Sequence, residues 1–260
     1  MELVKVEVKN QIAQVTLNRP QLHNAFNDEL IDELIKVFNN LEKDQSVLLV
    51  VLQGNGKSFC AGADLNWMKQ MKDYSEKENF EDSQKLFELF YTIDQFPRPV
   101  LAKVKGAALG GGSGLVAVCD YVLAHEESLF GFTEVRLGLI PAVISPFVIQ
   151  KIGISYARAY FLSGAKFKGK RAYEVGLVHE LASTDEELEE KTTKIINEFL
   201  KAGPLAQMAA KDLIVQNRKY SIDQIKDVVC SKIATRRISK EGQEGMEALL
   251  EKRNAAWIKK

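Results

Sequence analysis

Val100-Leu-Ala-Lys-Val-Lys-Gly106-Ala-Ala-Leu-Gly110-Gly-Gly-Ser-Gly114-Leu-Val-Ala-Val-Cys-Asp120-Tyr-Val-Leu-Ala124 is the stretch from which the fold is read. Residues 100–106 read as a buried strand and residues 115–124 as a mostly apolar helix. Between them, five glycines in the nine residues from Gly106 to Gly114 leave the backbone bare where a helix begins. Unpaired N–H groups at such a turn are free to meet an anion. A phosphate-gripping P-loop requires Gly-Lys-Ser/Thr at this point, and the loop closes Ser113-Gly114-Leu115 instead, which excludes it. A dinucleotide fingerprint matches weakly through Gly112, Gly114 and Ala117, with Glu134 about 20 residues on. Its first glycine, however, stands six residues beyond Gly106 rather than directly after the strand.

Working outward, residues 3–8 and 12–17 alternate apolar with polar and predict two paired strands about a turn at Lys9-Asn10. Residues 26–41 carry apolar side chains at helical spacing behind an Asn27 cap. Val47–Leu52 reads as a strand covered on both faces and opens into a second glycine-rich loop, Gln53-Gly-Asn-Gly-Lys57-Ser-Phe-Cys-Ala61-Gly-Ala63-Asp64. Residues 66–96 predict a long amphipathic helix preceded by a mobile portion, stopped by Pro97 and Pro99. A short strand near residues 128–132, a helix from Ser145 ending at Gly153, a short helix at 170–175 and a strand at 176–181 follow. From Thr184 onward the pattern is helical, with helices near 185–202, 204–218, 221–235 and 241–254. These helices suit an oligomerisation unit, or else they pack only on their own core.

With 35 basic and 35 acidic residues the formal net charge is zero, so no global field recruits nucleic acid or an anionic membrane. Three scattered cysteines suit a reducing compartment, and the scattered histidines and cysteines offer no metal site. The opening residues alternate like a strand rather than forming a signal peptide, and no run is long enough to span a bilayer, so the expectation is a cytoplasmic protein.

Two glycine loops leaving neighbouring strands, followed by one carboxylate in an apolar setting, suggest backbone N–H groups converging on one oxygen, with Glu134 as a base. Its neighbours Leu129, Phe130, Phe132, Val135 and Leu137 predict a carboxyl with a raised pKa. The competing reading is an ion pair with Arg136 or a plain surface carboxylate.

Asn18-Arg-Pro20, His23-Asn-Ala-Phe26, Phe59-Cys-Ala-Gly-Ala-Asp-Leu65, Gly106-Ala-Ala-Leu-Gly-Gly-Gly112 with Cys119-Asp120, and Phe130-Gly-Phe-Thr-Glu134 through Gly138-Leu-Ile-Pro141 together resemble the crotonase, or enoyl-CoA hydratase/isomerase, family. The resemblance extends through Leu162-Ser-Gly164 and Gly176-Leu-Val178, and it displaces the dinucleotide reading. It implies an α/β fold: a crotonase-like spiral of strand-strand-helix turns over residues 1–198, with a C-terminal helical trimerisation segment over residues 199–260. It also implies an acyl-CoA thioester as substrate, with coenzyme A part of that substrate and no separate cofactor, and assembly as homotrimers or dimers of trimers. Ala63 and Gly111 match the family's oxyanion donors, Lys57, Ala61 and Asp64 fall where the family holds the CoA moiety, and Glu134 matches the second of two family glutamates.

The first glutamate is missing, and Gly114 stands in its position. One carboxylate suffices to shuttle a proton between alpha and gamma carbons, which argues for an isomerase. A finer resemblance points to hydration: Gly110 to Val116, Glu134 to Val148 and Arg237 to Gly245 are similar to the bacterial methylglutaconyl-CoA hydratase branch, which also carries glycine here. Substrates of that branch bear a second carboxylate, for which Arg136 or Arg19 is the candidate cation. The expectation is a 2-enoyl-CoA hydratase acting in leucine or isoprenoid acid breakdown. The alternatives are an enoyl-CoA isomerase and, from another class, a CoA-thioester binding protein without catalysis.

Overall fold

The structure, a computed structural model, describes residues 2–258 and divides the chain into two compact units. The first comprises Met1–Phe96 and Val100–Thr192, and the second Pro97–Pro99 and Thr193–Lys260.

In the first unit, β1 (Val4–Lys9) and β2 (Ile12–Leu17) form the expected antiparallel hairpin. Its turn residues Asn10 and Gln11 take positive φ, as a tight two-residue hairpin turn requires. Next comes α1 (Asp28–Lys43), where the Asn27 side chain accepts the Leu30 N–H and Leu30, Ile31, Leu34, Phe38 and Leu41 are buried at helical spacing.

Three turns of a coil then follow, each laying one strand in each of two sheets before a helix. β3 (Leu49–Gly54) and β4 (Ser58–Cys60) lead to α2 (Leu65–Met71) and α3 (Glu76–Asp94). β5 (Val100–Val104) and β6 (Ala107–Leu109) lead to α4 (Gly111–Val118). β7 (Tyr121–His125) and β8 (Leu129–Gly131) lead through a 3-10 turn, Glu134–Leu137, to α5 (Ser145–Ser163). After β9 (Phe167–Lys168), α6 (Gly169–Glu174) and β10 (Glu180–Ala182), the sheets run β1-β2-β3-β5-β7-β10 and β4-β6-β8-β9. The consecutive core strands pair in parallel, β3 with β5 and β5 with β7 in one sheet, β4 with β6 and β6 with β8 in the other. Strand-strand-helix turns therefore repeat in space without repeating in sequence.

Several boundaries differ from expectation. The apolar run 115–124 is half helix and half strand: α4 stops at Val118, and Tyr121–His125 is β7. Asp120 makes the break, because its N–H donates to the Val100 carbonyl and its carboxylate accepts the Val100 N–H, both at 2.8 Å, tying the start of β7 to the start of β5. A short apolar run does not by itself separate buried helix from buried strand. β6 of the second sheet stands between β5 and α4, so the strand-loop-helix unit of a dinucleotide site is not formed. Residues 66–96 fold as two helices, the second opened by a Ser75–Glu78 capping box. Gly153, at φ 73° and ψ 160°, breaks α5 without ending it, and the helix closes at Gly164. The strand expected at 176–181 is shortened to Glu180–Ala182.

The division falls within α7 (Asp185–Leu200). The second unit is helical, with α8 (Pro204–Lys219), α9 (Ile222–Ile238) and α10 (Lys240–Leu250). Glu241 accepts the N–H groups of Leu205 and Ala206 at the start of α8 and pairs with Arg236, while the Trp257 indole donates to the Lys201 carbonyl. Ile222, Ile238, Leu249 and Leu250 stand exposed on these helices. Among the described residues no helix is long and apolar enough to cross a membrane, and no group of acids, histidines and cysteines is arranged to hold a metal.

Candidate active site

Three neighbouring parallel strands, β4, β6 and β8, open at their carboxyl ends into Ala61–Asp64, Gly110–Gly111 and Phe132–Glu134. The register of β4 on β6 places the first two segments side by side. Contact between them is close enough to demand glycine: a Cβ on Gly112 would lie 2.0 Å from the Cys60 carbonyl oxygen. Gly110 takes φ 52° and ψ −122°, a backbone that lets β6 turn at once into α4.

Two backbone donors are left over by this arrangement. Phe26 bridges Ala63 in parallel fashion, with the Phe26 N–H donating to the Gly62 carbonyl at 2.7 Å and the Asp64 N–H donating to the Phe26 carbonyl at 2.8 Å. In that pattern the N–H of Ala63 itself points away from Phe26, and it has no hydrogen-bond partner among the described residues. Gly111 is the first residue of α4, so its N–H lacks an intrahelical acceptor and likewise goes unpaired among the described residues. The Ala61 N–H, by contrast, is used, donating to the His23 carbonyl at 3.0 Å.

Glu134 opens the 3-10 turn after β8, partly buried. Burial pushes its carboxyl above the ordinary value. Its Oε2 is buried without a hydrogen-bond partner among the described residues, and its Oε1 lies 3.3 Å from where a Gly110 Cβ would stand. No ion pair joins it to Arg136 among the described residues. The carboxylate therefore stands beside the glycine triplet, desolvated and with one oxygen uncommitted.

An apolar wall completes the surroundings. A Cβ on Gly111 would meet the Phe26 ring at 2.9 Å, and one on Gly114 would meet Ile144 Cγ2 at 2.4 Å and the Phe90 ring at 3.1 Å. Phe26 and Phe90 pack edge to face, their centroids 6.2 Å apart. The space beside position 114 is thus filled with hydrocarbon. The sequence places Phe26 only within its motif and singles out neither Phe90 nor Ile144, because buried apolar residues on separate elements look alike wherever they pack; nothing local marks them as wall.

The remaining sequence candidates are placed as follows. Arg19 is 7% exposed, donating to the Ala25 carbonyl at 2.5 Å and to Asp64 Oδ2 at 2.9 Å, so it is committed within the protein and not free to meet a substrate carboxylate. Burial works to raise the Asp64 carboxyl, but the Asn66 N–H and the Arg19 guanidinium hold it below the ordinary carboxylate range. Arg136 is exposed, its side chain lying beside Gly164, and has no acidic partner among the described residues. Lys57 is exposed at the amino end of β4, across that short strand from Ala61.

The sequence profile of the enoyl-CoA hydratase/isomerase family matches residues 7–260. The chain belongs to that family. It is 32% identical to the 2,3-dehydroadipyl-CoA hydratase of Escherichia coli, covering 95% of each chain. Among solved structures, an enoyl-CoA hydratase from Shewanella pealeana superposes with a TM-score of 0.94 at 35% identity, covering 98% of this chain and 96% of that one. Pseudomonas aeruginosa AtuE superposes with a TM-score of 0.96 at 31% identity, covering 99% and 100%. The protein is thus a family enzyme whose spiral carries the two glycine loops and one glutamate, with Gly114 backed by Phe90 and Ile144.

Proposed function

We propose that this enzyme adds water across the double bond of a 2-enoyl-CoA thioester. The observation that carries the reading is the set of two unpaired backbone donors, Ala63 N–H and Gly111 N–H, on adjoining loops beside a desolvated Glu134. With the thioester oxygen on the two donors, attack of water oxygen at C3 sends the π electrons through C2 onto that oxygen. The donors stabilise the enolate so formed. Glu134 removes the proton from the attacking water and returns it at C2, so that one C–O and one C–H bond form as one O–H bond breaks. A carboxyl raised by burial is suited to both transfers near neutral pH.

The acyl group we favour is of the 3-methylglutaconyl type, in leucine or isoprenoid acid breakdown, with Arg136 as counter-ion for its second carboxylate. The exposure of Arg136, without an acidic partner among the described residues, and the commitment of Arg19 to Asp64 support that choice. The Escherichia coli relative's named thioester also bears a distal carboxylate. Lys57, Ala61 and Asp64 are assigned to the CoA side of the site, and coenzyme A enters only as part of the substrate. Apolar side chains exposed on α9 and α10 support assembly as a homotrimer or a dimer of trimers, and three cysteines scattered along the sequence fit a reducing, cytoplasmic setting.

One observation favours the second reading, an enoyl-CoA isomerase: the atoms nearest position 114 belong to Ile144 and Phe90, hydrocarbon that cannot share the water. The test is mass spectrometry of 3-methylglutaconyl-CoA incubated with enzyme in oxygen-18 water, beside Glu134→Gln. A labelled adduct that the variant fails to make supports hydration through Glu134. Absence of the adduct, with 3-enoyl-CoA converted to 2-enoyl-CoA, would replace it with the isomerase, and turnover of neither would leave a thioester-binding protein.

A further inference from the structure

We propose that Arg19 is a positioning residue that aims the Ala63 N–H at the thioester carbonyl, an inference that rests on the carbonyl-donor reading above. Ala63 lies in no helix or strand, and its orientation depends on the single parallel bridge to Phe26. Arg19 spans that bridge. One guanidinium nitrogen takes the carbonyl of Ala25, the residue before Phe26, and another takes the carboxylate of Asp64, the residue after Ala63. The two backbone segments that set the direction of the donor are thereby held by one planar group.

Both ends of the clamp are themselves anchored. The other Asp64 oxygen accepts the Asn66 N–H at 2.7 Å and caps α2, so the carboxylate is held from two sides. The Arg19 N–H donates to Asn24 Oδ1 at 2.8 Å, and Asn24 Nδ2 in turn donates to the carbonyls of Asn55 and Ser58 at 2.9 and 2.7 Å. The backbone from which the guanidinium extends is therefore tied to the approach to β4 and to the first residue of that strand, which leads into Ala61–Asp64. Lysine, a single point charge on a flexible stem, does not hold a carbonyl and a carboxylate in one plane. A displacement of well under an ångström is enough to weaken a hydrogen bond to a developing oxyanion.

The experiment reads the donor directly. Dimethylaminocinnamoyl-CoA, an enoyl thioester whose absorption moves to the red when its carbonyl is polarised, is bound to the wild type, to Arg19→Lys and to Asp64→Asn. Far-UV circular dichroism and CoA affinity are measured on the same samples. The expected result is a red shift in the wild type that is largely lost in both variants at retained fold. kcat should fall on the order of a hundredfold in both, as for loss of one oxyanion donor, with KM within about threefold for Arg19→Lys, whereas Asp64→Asn is read by the red shift alone. Because Asp64→Asn keeps size and the Asn66 cap, it gives the reading even if Arg19→Lys does not fold. An undiminished red shift in a folded variant would overturn the proposal and leave Arg19 a purely structural ion pair. Absence of any red shift in the wild type would instead remove the carbonyl-donor reading, and the inference with it.

Discussion

Gly114→Ala should destabilise this protein, although the same change in an ordinary helix stabilises it. Gly114 lies inside α4 without a positive φ, so alanine meets no backbone strain there and gains about 1 kcal/mol of helix propensity. Against that gain, its Cβ would stand 2.4 Å from Ile144 Cγ2 and 3.1 Å from two Phe90 ring atoms, in a cluster where Ile144 and Phe90 are buried. Overpacking of this kind costs roughly 1–3 kcal/mol, so the net expectation is a loss of about 1 kcal/mol. Urea titration followed by circular dichroism at fixed protein concentration measures it, with Ile144→Ala and the double variant alongside. Because Ile144→Ala removes the colliding methyl, the double variant should be more stable than the sum of singles by about 1 kcal/mol or more. A Gly114→Ala protein as stable as the wild type, with additive double-variant behaviour, would refute the claim that hydrocarbon fills this position. Gly114→Glu alone should lose more stability still and fail to raise the hydration rate, since its carboxyl has no room while Phe90 and Ile144 stay.

Glu134→Gln should lower kcat about 10²- to 10⁴-fold and yet raise thermal stability at neutral pH. Because burial raises the folded-state pKa of Glu134, its contribution is fully present below the ordinary carboxylate pKa and lost as pH rises through the raised value. The stability gap between variant and wild type should therefore close in acid, and a gap constant across pH would contradict it. Asn24→Ala removes three hydrogen bonds from a fully buried side chain, to Arg19, Asn55 and Ser58, and should cost about 3 kcal/mol or more in the same urea assay. Asn24→Asp, which turns a carboxylate towards two carbonyls, should cost at least as much. Iodoacetamide should label the native chain at the exposed Cys230 and spare Cys60, whose thiol burial pushes up to about 12; labelling of Cys60 before unfolding would show that β4 opens.

Much of this molecule is written locally. The hairpin β1–β2, α1 with its Asn27 cap, and α9 and α10 follow from turn, periodicity and capping residues that act within a few positions of themselves, whereas α8 takes its amino-terminal cap from the distant Glu241. The glycine triplet at 110–112 marks a loop because only glycine tolerates a Cys60 carbonyl so near, and Glu134 marks itself as a lone acid in an apolar run. Those features, with the motifs around them, were enough to name the family. Other features depended on pairing across distance. That residues 121–125 are strand was decided by β5 alongside, and the two-sheet alternation by which strands found one another. Arg19 was readable only as a cation of unknown partner until Asp64 and Ala25 closed around it. The hydrocarbon beside Gly114 comes from α3 and the approach to α5, elements far along the chain in both directions. The sequence by itself determined which backbone groups have the freedom to bind and which side chain can carry a proton. Only the tertiary structure decided where they point and what surrounds them, because direction and burial belong to contacts between segments that no local pattern records.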